Sequence, residues 1–394
     1  MRTVHDIPLL HGISVLVRAP LNEPIEGGEV ASDFRLRRTI PTLEFLQHAG
    51  ARVIVCGHIG RDPSETLEPV YHALQTRLSN ISFSPESIGP RAEEKARALA
   101  PGSILLLENL RRHKGETAND PDFARALARL AHVFVQDAFD TSHRAHASIV
   151  GVPRFLPSYA GLLLAEEVRE LSAARTPTTP SLAVIGGAKF STKEPVITKL
   201  LSLYDTVFVG GALANDFLAA RGHSLGASLL SGADPVLIKN LLSHKNLLIP
   251  EDALAASPDA SASSAREADL DSLASTEAIL DAGPRTQNML AEIVQTAQTI
   301  LWNGPLGHYE NGFTAGTRAL ARAISTNTGR SIVGGGDTVT AIEELGLTEH
   351  FSFISTGGGA MLDYLTHGTL PGIDALASSG NEKNSEEGGS LTKE

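Results

Sequence analysis

The chain has 394 residues, 42% hydrophobic and 20% charged, with a formal net charge of −12 and a single cysteine. That length exceeds what one hydrophobic core serves, so two domains are expected. The acidic balance argues against a nucleic-acid or anionic-membrane partner, the lone Cys56 excludes an intrachain disulfide framework and suits a reducing cytoplasm, and no apolar run is long enough for a membrane span or a secretory signal.

Short runs rich in Val, Ile, Leu and Phe alternate with longer amphipathic stretches, the pattern of parallel strands joined by crossover helices. Strands are predicted over residues 13–18, 52–57, 103–108 and 132–136 in the first half. The second half gives 181–185, 206–209, 246–249, 299–301, 331–333 and 351–354. A helix over 161–174 runs into Arg175-Thr176-Pro177-Thr178-Thr179-Pro180. Proline disfavours helical geometry in the residue before it, so a hinge and domain boundary are expected there. Residues 255–275, rich in Ala, Ser, Asp and Glu, read as a surface segment, helical or loop. From Ser378 onward the composition cannot bury apolar area, which predicts a disordered tail.

Ligands of open α/β sheets bind beyond the carboxyl ends of the strands. In the first half those ends are cationic: Arg18, then Gly57-His58-Ile59-Gly60-Arg61, then Asn109-Leu110-Arg111-Arg112-His113, then Asp137 through His143-Arg144-Ala145-His146, with Arg35 at a loop-to-helix junction. Guanidinium groups match phosphate and carboxylate oxygens in a bidentate fork, so a small polyanion is implied. Arg35, Arg61, Arg111 and Arg144 are the stronger candidates. His58, His143 and His146 read equally well as solvated surface residues or as contacts, and they are expected to add positive potential because histidine titrates near neutrality. The Glu166-Glu167 pair reads as a solvated helix face or hinge contact, and Cys56 as a buried small hydrophobe.

In the second half the strand ends are glycine: Gly186-Gly187-Ala188-Lys189, Gly210-Gly211, Gly334-Gly335-Gly336-Asp337-Thr338 and Thr356-Gly357-Gly358-Gly359. Glycine lets backbone N–H groups approach phosphate oxygens at a helix N-terminus. Lys189 and Lys193 share a face if that stretch is helical, and Asp337 is a candidate Mg2+ ligand. Neither the P-loop nor the dinucleotide fingerprint occurs, which weighs against a dehydrogenase. One Gly-Gly pair is an ordinary turn; four in one half point to a nucleotide.

These motifs, in this order and with Trp302-Asn303-Gly304-Pro305-Leu306-Gly307 and Arg18-Ala19-Pro20-Leu21-Asn22, resemble the phosphoglycerate kinase family from about residue 13 to 376. The resemblance implies two Rossmann-like three-layer α/β domains with parallel sheets around a central cleft. It implies an acid-substrate domain at 1–160, a connecting helix and hinge at 161–180, a nucleotide domain at 181–360, a segment at 361–376 returning to the first domain, and a tail at 377–394. Asn22, Arg35, His58, Arg61, Arg111 and Arg144 would hold 3-phosphoglycerate or 1,3-bisphosphoglycerate. Lys193, Asn303, Glu310, Gly335, Gly336, Asp337 and Thr338 would hold ATP or ADP, with Asp337 on Mg2+. Arg35, Lys189 and the helix N-terminus at Gly357, Gly358 and Gly359 would stabilise the phosphoryl group in flight. The implied enzyme is a cytoplasmic, monomeric, hinge-bending kinase of glycolysis. Four positions depart from the family pattern: Pro20 for Asp, Asp140 for Gly, Ala227 for Lys and Thr192 for Asp. Pro20 removes one acceptor for a substrate hydroxyl, a loss on the order of 1 kcal/mol. Pro20 and Asp140 motivate a second reading, a catalytically weakened paralogue that binds nucleotide or a partner. Retention of Arg35, Lys189, Lys193 and Asp337 weighs against it.

Overall fold

The computed structural model describes residues 1–379; the rest of the expected tail lies outside the described residues. The chain divides into two units, one of Met1–Arg169 with the segment from Thr369 onward, the other of Glu170–Gly368. The division falls within the helix Leu162–Ala174. The chain returns to the first unit through the helix Pro371–Ala377, where the Gly372 N–H donates to the Ser142 carbonyl at 2.9 Å.

The strands of the first unit are β1 (Ser14–Arg18), β2 (Ile25–Glu26), β3 (Glu29–Val30), β4 (Arg52–Cys56), β5 (Ile81–Ser84), β6 (Ile104–Leu107), β7 (Val133–Gln136) and β8 (Ser158–Ala160). Six of them form a parallel sheet in the order β5-β6-β4-β1-β7-β8, and β2 and β3 make a small antiparallel hairpin. The strands of the second unit are β9 (Ser181–Ile185), β10 (Thr206–Val209), β11 (Leu247–Leu248), β12 (Asp252–Ala256), β13 (Arg266–Asp269), β14 (Ala278–Ala282), β15 (Thr299–Asn303), β16 (Arg330–Gly334) and β17 (Phe353–Ile354). Its parallel sheet runs β11-β10-β9-β15-β16-β17.

Central strands covered on both faces must be apolar throughout, and β1 and β9 are buried at all five positions. On one face of the first sheet, Val15, Val17, Val53, Val55, Ile104 and Leu106 pack against Leu36, Leu43 and Leu46 of the helix Phe34–His48 and Val70 and Leu74 of the helix Glu68–Gln75. Each such side chain contributes roughly 1.5–3 kcal/mol by leaving water.

Residues 255–275 are not simply a surface helix or loop. β12, β13 and β14 form an antiparallel sheet in the order β13-β12-β14. Ala253, Ala255, Ala256, Ala268, Ala278 and Ala282 are among its buried positions. Alanine is a poor strand former, so the sequence hides these strands; the close packing of small side chains makes them. Glu167 likewise departs from the solvated reading and is fully buried, whereas Glu166 pairs with Arg38 at 2.9 Å.

In each sheet the chain starts at a middle strand and goes first to one side, then to the other: β1 to β4, later β7; β9 to β10, later β15. The loops that follow these strands flank the switch point, where an open sheet offers a crevice at its carboxyl edge.

Candidate active site

In the first unit, β1 delivers Arg18 into the protein with no solvent exposure. Its guanidinium donates to the Ala19 carbonyl at 2.7 Å, to Ser148 Oγ at 3.0 Å and to His58 Nδ1 at 2.9 Å. Arginine has no acceptor, so His58 Nδ1 must accept, and the neutral ring carries its proton on Nε2. Ser148 Oγ in turn donates to Glu116 Oε1 at 2.6 Å, and the Ser148 N–H donates to Glu116 Oε2 at 3.0 Å. A buried carboxylate thus balances a buried guanidinium through one hydroxyl, which a low-dielectric interior requires.

Burial, with the charges of Arg18, Arg111, Arg144 and His146, holds His58 well below the usual histidine range. Burial and the same arginines push His146 down to about 4. Both rings are therefore neutral at neutral pH. This corrects the expectation that they supply positive potential: the field comes from the arginines, and His58 offers a neutral N–H. Burial, with the neighbouring charges of Arg144, Arg18 and Arg61, also lowers Arg111 against the opposing pull of Glu116, the signature of like charges crowded together.

The loops between these groups are bonded to one another. Asn22 Oδ1 accepts from the Gly60 N–H at 2.8 Å, and the Asn22 carbonyl accepts from Arg35 at 3.0 Å. Arg35 also pairs with the buried Glu23 at 3.1 Å, and Arg111 donates to the Gly60 carbonyl. Fully buried Asn109 supports the turn: its Oδ1 accepts from the Ile59 and Arg111 N–H groups and its Nδ2 donates to the Ile59 and Glu65 carbonyls. Arg61 and Arg144 are exposed. Pro20 is buried, and Asp140 accepts a 3.2 Å bond from Thr141 Oγ1.

In the second unit, β9 runs into Gly186, where an added Cβ would lie 2.1 Å from the Pro305 carbonyl oxygen; only glycine lets the loops after β9 and β15 meet. Lys189 is the exposed N-cap of the helix Phe190–Leu201, immediately before the turn that carries Lys193. Lys193 lies one turn in, with Nζ 2.5 Å from Asn303 Oδ1, and burial pushes its ammonium down to about 8. Gly335 has φ +104 and caps the helix Gly336–Glu344, placing Asp337 in the first turn. Thr338 Oγ1 accepts from the Gly304 N–H at 3.1 Å, tying that helix to the loop after β15. Gly357 caps the helix Gly358–His367, and a Cβ on Gly358 would sit 3.3 Å from the Gly335 Cα, so the two helix N-termini adjoin.

Beside them a groove of about 510 Å3 is lined by Gly187, Gly211, Leu229, Leu306, Glu310 and Asp337, among others. Apolar walls with carboxylates at one side suit a base and a sugar. Burial and the nearby Glu310 charge raise Asp337 above the usual carboxylate range. Two crowded carboxylates beside phosphate-sized glycine turns fit Mg2+, which takes one or two carboxylates and completes its shell with phosphate oxygens and water. No cluster of three or more His, Cys, Asp or Glu able to hold a metal alone occurs among the described residues.

Sequence reasoning missed the apolar lining at Leu229 and Leu306, which no motif marks as ligand-facing. It also missed the support that Glu116, Asn109 and Ser148 give the arginine cluster, because that support comes from bonds between segments far apart in sequence.

The phosphoglycerate kinase family model matches residues 4–368. The phosphoglycerate kinase of Moorella thermoacetica is 41% identical over 387 residues, 95% of this chain and 98% of the relative. That of Thermus thermophilus is 42% identical over 389 residues, covering 95% of this chain and all of the relative. Among solved structures, phosphoglycerate kinase from Coxiella burnetii superposes with a TM-score of 0.82 at 36% identity, covering 95% of this chain and 98% of that one. The enzyme from Pyrococcus horikoshii OT3 gives 0.87 at 30% identity over 96% and 98%. The chain belongs to the phosphoglycerate kinase family and is a phosphotransferase with a carboxyl group as acceptor.

Proposed function

We propose that the protein transfers a phosphoryl group reversibly and with Mg2+ between 1,3-bisphosphoglycerate and ADP, giving 3-phosphoglycerate and ATP in glycolysis. The observation that carries this reading is the crowding of Arg18, Arg61, Arg111 and Arg144 around neutral His58 at the carboxyl edge of the first sheet. Such a surface needs a compact polyanion to relieve its own repulsion. Asn22, Arg35, His58, Arg61, Arg111 and Arg144 hold the phosphorylated acid: the guanidinium groups take phosphate and carboxylate oxygens, and His58 Nε2–H donates one further bond. Glycine turns and helix N-termini of the second unit take the nucleotide phosphates, Lys193 and Asn303 hold them in register, and Glu310 accepts from the ribose.

Asp337 would hold Mg2+, which would offset charge on the nucleotide phosphates. Phosphoryl transfer needs in-line positioning and charge neutralisation rather than covalent catalysis. Arg35, Lys189 and the amides of Gly357, Gly358 and Gly359 supply the neutralisation on the transferring group. Water must be excluded as the ligands are brought together, because it would hydrolyse the acyl phosphate.

The protein works in the cytoplasm as a monomer. Buried Cys56, whose thiol burial pushes up to about 12, is inert and supports a reducing compartment. No helix among the described residues is long and apolar enough to cross a membrane. An assay of ATP formation from ADP and enzymatically generated 1,3-bisphosphoglycerate tests the proposal. Steady turnover that stops on chelating Mg2+ is expected; intact nucleotide binding without phosphoglycerate-dependent ATP formation rejects it.

A further inference from the structure

The opposite edge of the first sheet carries a second cationic concavity. Ser14 opens β1, Arg52 opens β4, and His132 directly precedes β7, so the amino ends of three adjacent strands meet there. Arg97, from the helix Pro90–Ala98, and Arg129, from the end of the helix Pro121–Ala128, close a pocket of about 420 Å3 over them. Three residues of β1 lie between Ser14 at this edge and Arg18 at the other, a separation on the order of 13 Å.

The charges there are unbalanced. Glu93 is the one carboxylate in the lining, and Arg97 already holds it at 3.0 Å. Neither Arg52 nor Arg129 makes an ion pair among the described residues, and Arg52 Nε is a buried donor with no hydrogen-bond partner. A chain of net charge −12 has left two guanidinium groups uncompensated on one concave surface. A buried, unmade hydrogen bond to a charged group is costly, and arginine forks match phosphate oxygens.

We propose that this pocket is a second anion site, distinct from the arginine cluster at the carboxyl edge, and that it takes a small molecule bearing two phosphate groups. A single phosphate would leave most of the volume empty, while two groups can engage Arg52 and Arg129 together. The proposal does not depend on the catalytic reading, since none of these residues belongs to that machinery.

Inorganic pyrophosphate is the probe, titrated calorimetrically into the full chain. For the calorimetry the nucleotide-phosphate site of the second unit is weakened by Lys193→Met in every chain, and two binding events are then expected with or without Arg97→Gln. Arg111→Gln should weaken only the event at the carboxyl edge. Arg52→Gln and Arg129→Gln should each weaken the other event at least tenfold, with kcat and KM for 3-phosphoglycerate unchanged. Arg129 is exposed, so Arg129→Gln keeps the test valid if Arg52→Gln folds poorly. In side-chain nitrogen–proton spectra the Arg52 Nε–H resonance should move with pyrophosphate in Arg111→Gln. A single event lost in Arg111→Gln, or two events unaffected by Arg129→Gln, overturns the proposal.

Discussion

Replacing Arg111 with methionine separates binding from folding, because the same crowding that attracts the substrate burdens the free protein. One charge-assisted hydrogen bond is worth about 1.5–3 kcal/mol. At 1.4 kcal/mol per factor of ten, Arg111→Met should weaken 3-phosphoglycerate roughly 10–150-fold. In the free protein two effects oppose each other. The bond from Arg111 to the Gly60 carbonyl is lost, at about 0.5–1.5 kcal/mol. Repulsion from Arg144, Arg18 and Arg61 is relieved. A contact pair of like charges costs about 1 kcal/mol in water and less when farther apart, and solvent screens the half-buried Arg111 further. The balance lies within about 1 kcal/mol, a Tm change of no more than about 2–4 °C for a unit of this size. Calorimetry with 3-phosphoglycerate reads the first effect; thermal melts at low and high salt read the second, with the variant gaining most at low salt. Unchanged affinity together with a fall in Tm beyond about 8 °C would show that the cluster is a structural element and refute the reasoning.

Lys193→Met should stabilise the second unit at pH 7 by at most on the order of 3 kcal/mol while weakening ATP, because the parent buries an ammonium whose folded pKa is about 8 against an ordinary 10.5. Between those values the unfolded chain binds more protons than the folded one, so the parent gains stability as pH rises through that window and the variant does not; melts at pH 7 and pH 10 check it. His146, at about 4 against an ordinary 6.5, stays neutral in the folded state while the unfolded chain protonates, so stability falls as pH drops from 6.5 to 4. His146→Gln should flatten that acid limb in denaturant titrations, and a limb of unchanged slope counts against it. Gly186→Ala drives a Cβ into the Pro305 carbonyl; a loss of about 1–3 kcal/mol, as for other overpacked sites, should come with weaker ADP binding, and melts beside calorimetry measure both.

The parallel strands were legible where apolar runs were continuous: residues 181–185 and 206–209 are β9 and β10 as expected, and β15 merely extends the expected run through Trp302 and Asn303. Strands built from serine or alanine were not. β5 reads Ile-Ser-Phe-Ser and β8 has three residues, so neither rises above a loop in sequence. Alanine-rich β12 and β14 owe their form to packing rather than propensity. At the site, the arginines and glycines stood out because charge or flexibility at a strand end has few structural uses. The protonation states did not. That His58 is neutral follows from its burial first and then from the charge of Arg18, whose guanidinium occupies its Nδ1 and bonds Ser148, 130 residues away in sequence.

The two units meet the same difficulty by opposite means. In the first, buried Glu116 offsets Arg18, and two histidines stay neutral, so the cluster carries only the charge its outer arginines bring. In the second, a buried ammonium is held by one amide oxygen, and Asp337 sits against Glu310 with no cation between them among the described side chains. Neither arrangement minimises the energy of the free protein: Lys193 is a desolvated ammonium in the second, and in the first the repulsion around Arg111 offsets much of what its bond to Gly60 contributes. Natural sites retain such costs where a ligand of opposite charge repays them on binding. On the proposed function, a polyanionic acid would answer the first surface, and a nucleotide with its metal would answer both halves of the second, the phosphates meeting Lys193 and the cation meeting Asp337. A ligand with phosphate but no metal would leave Asp337 and Glu310 uncompensated, which is the physical reason for proposing that the nucleotide binds as its Mg2+ complex.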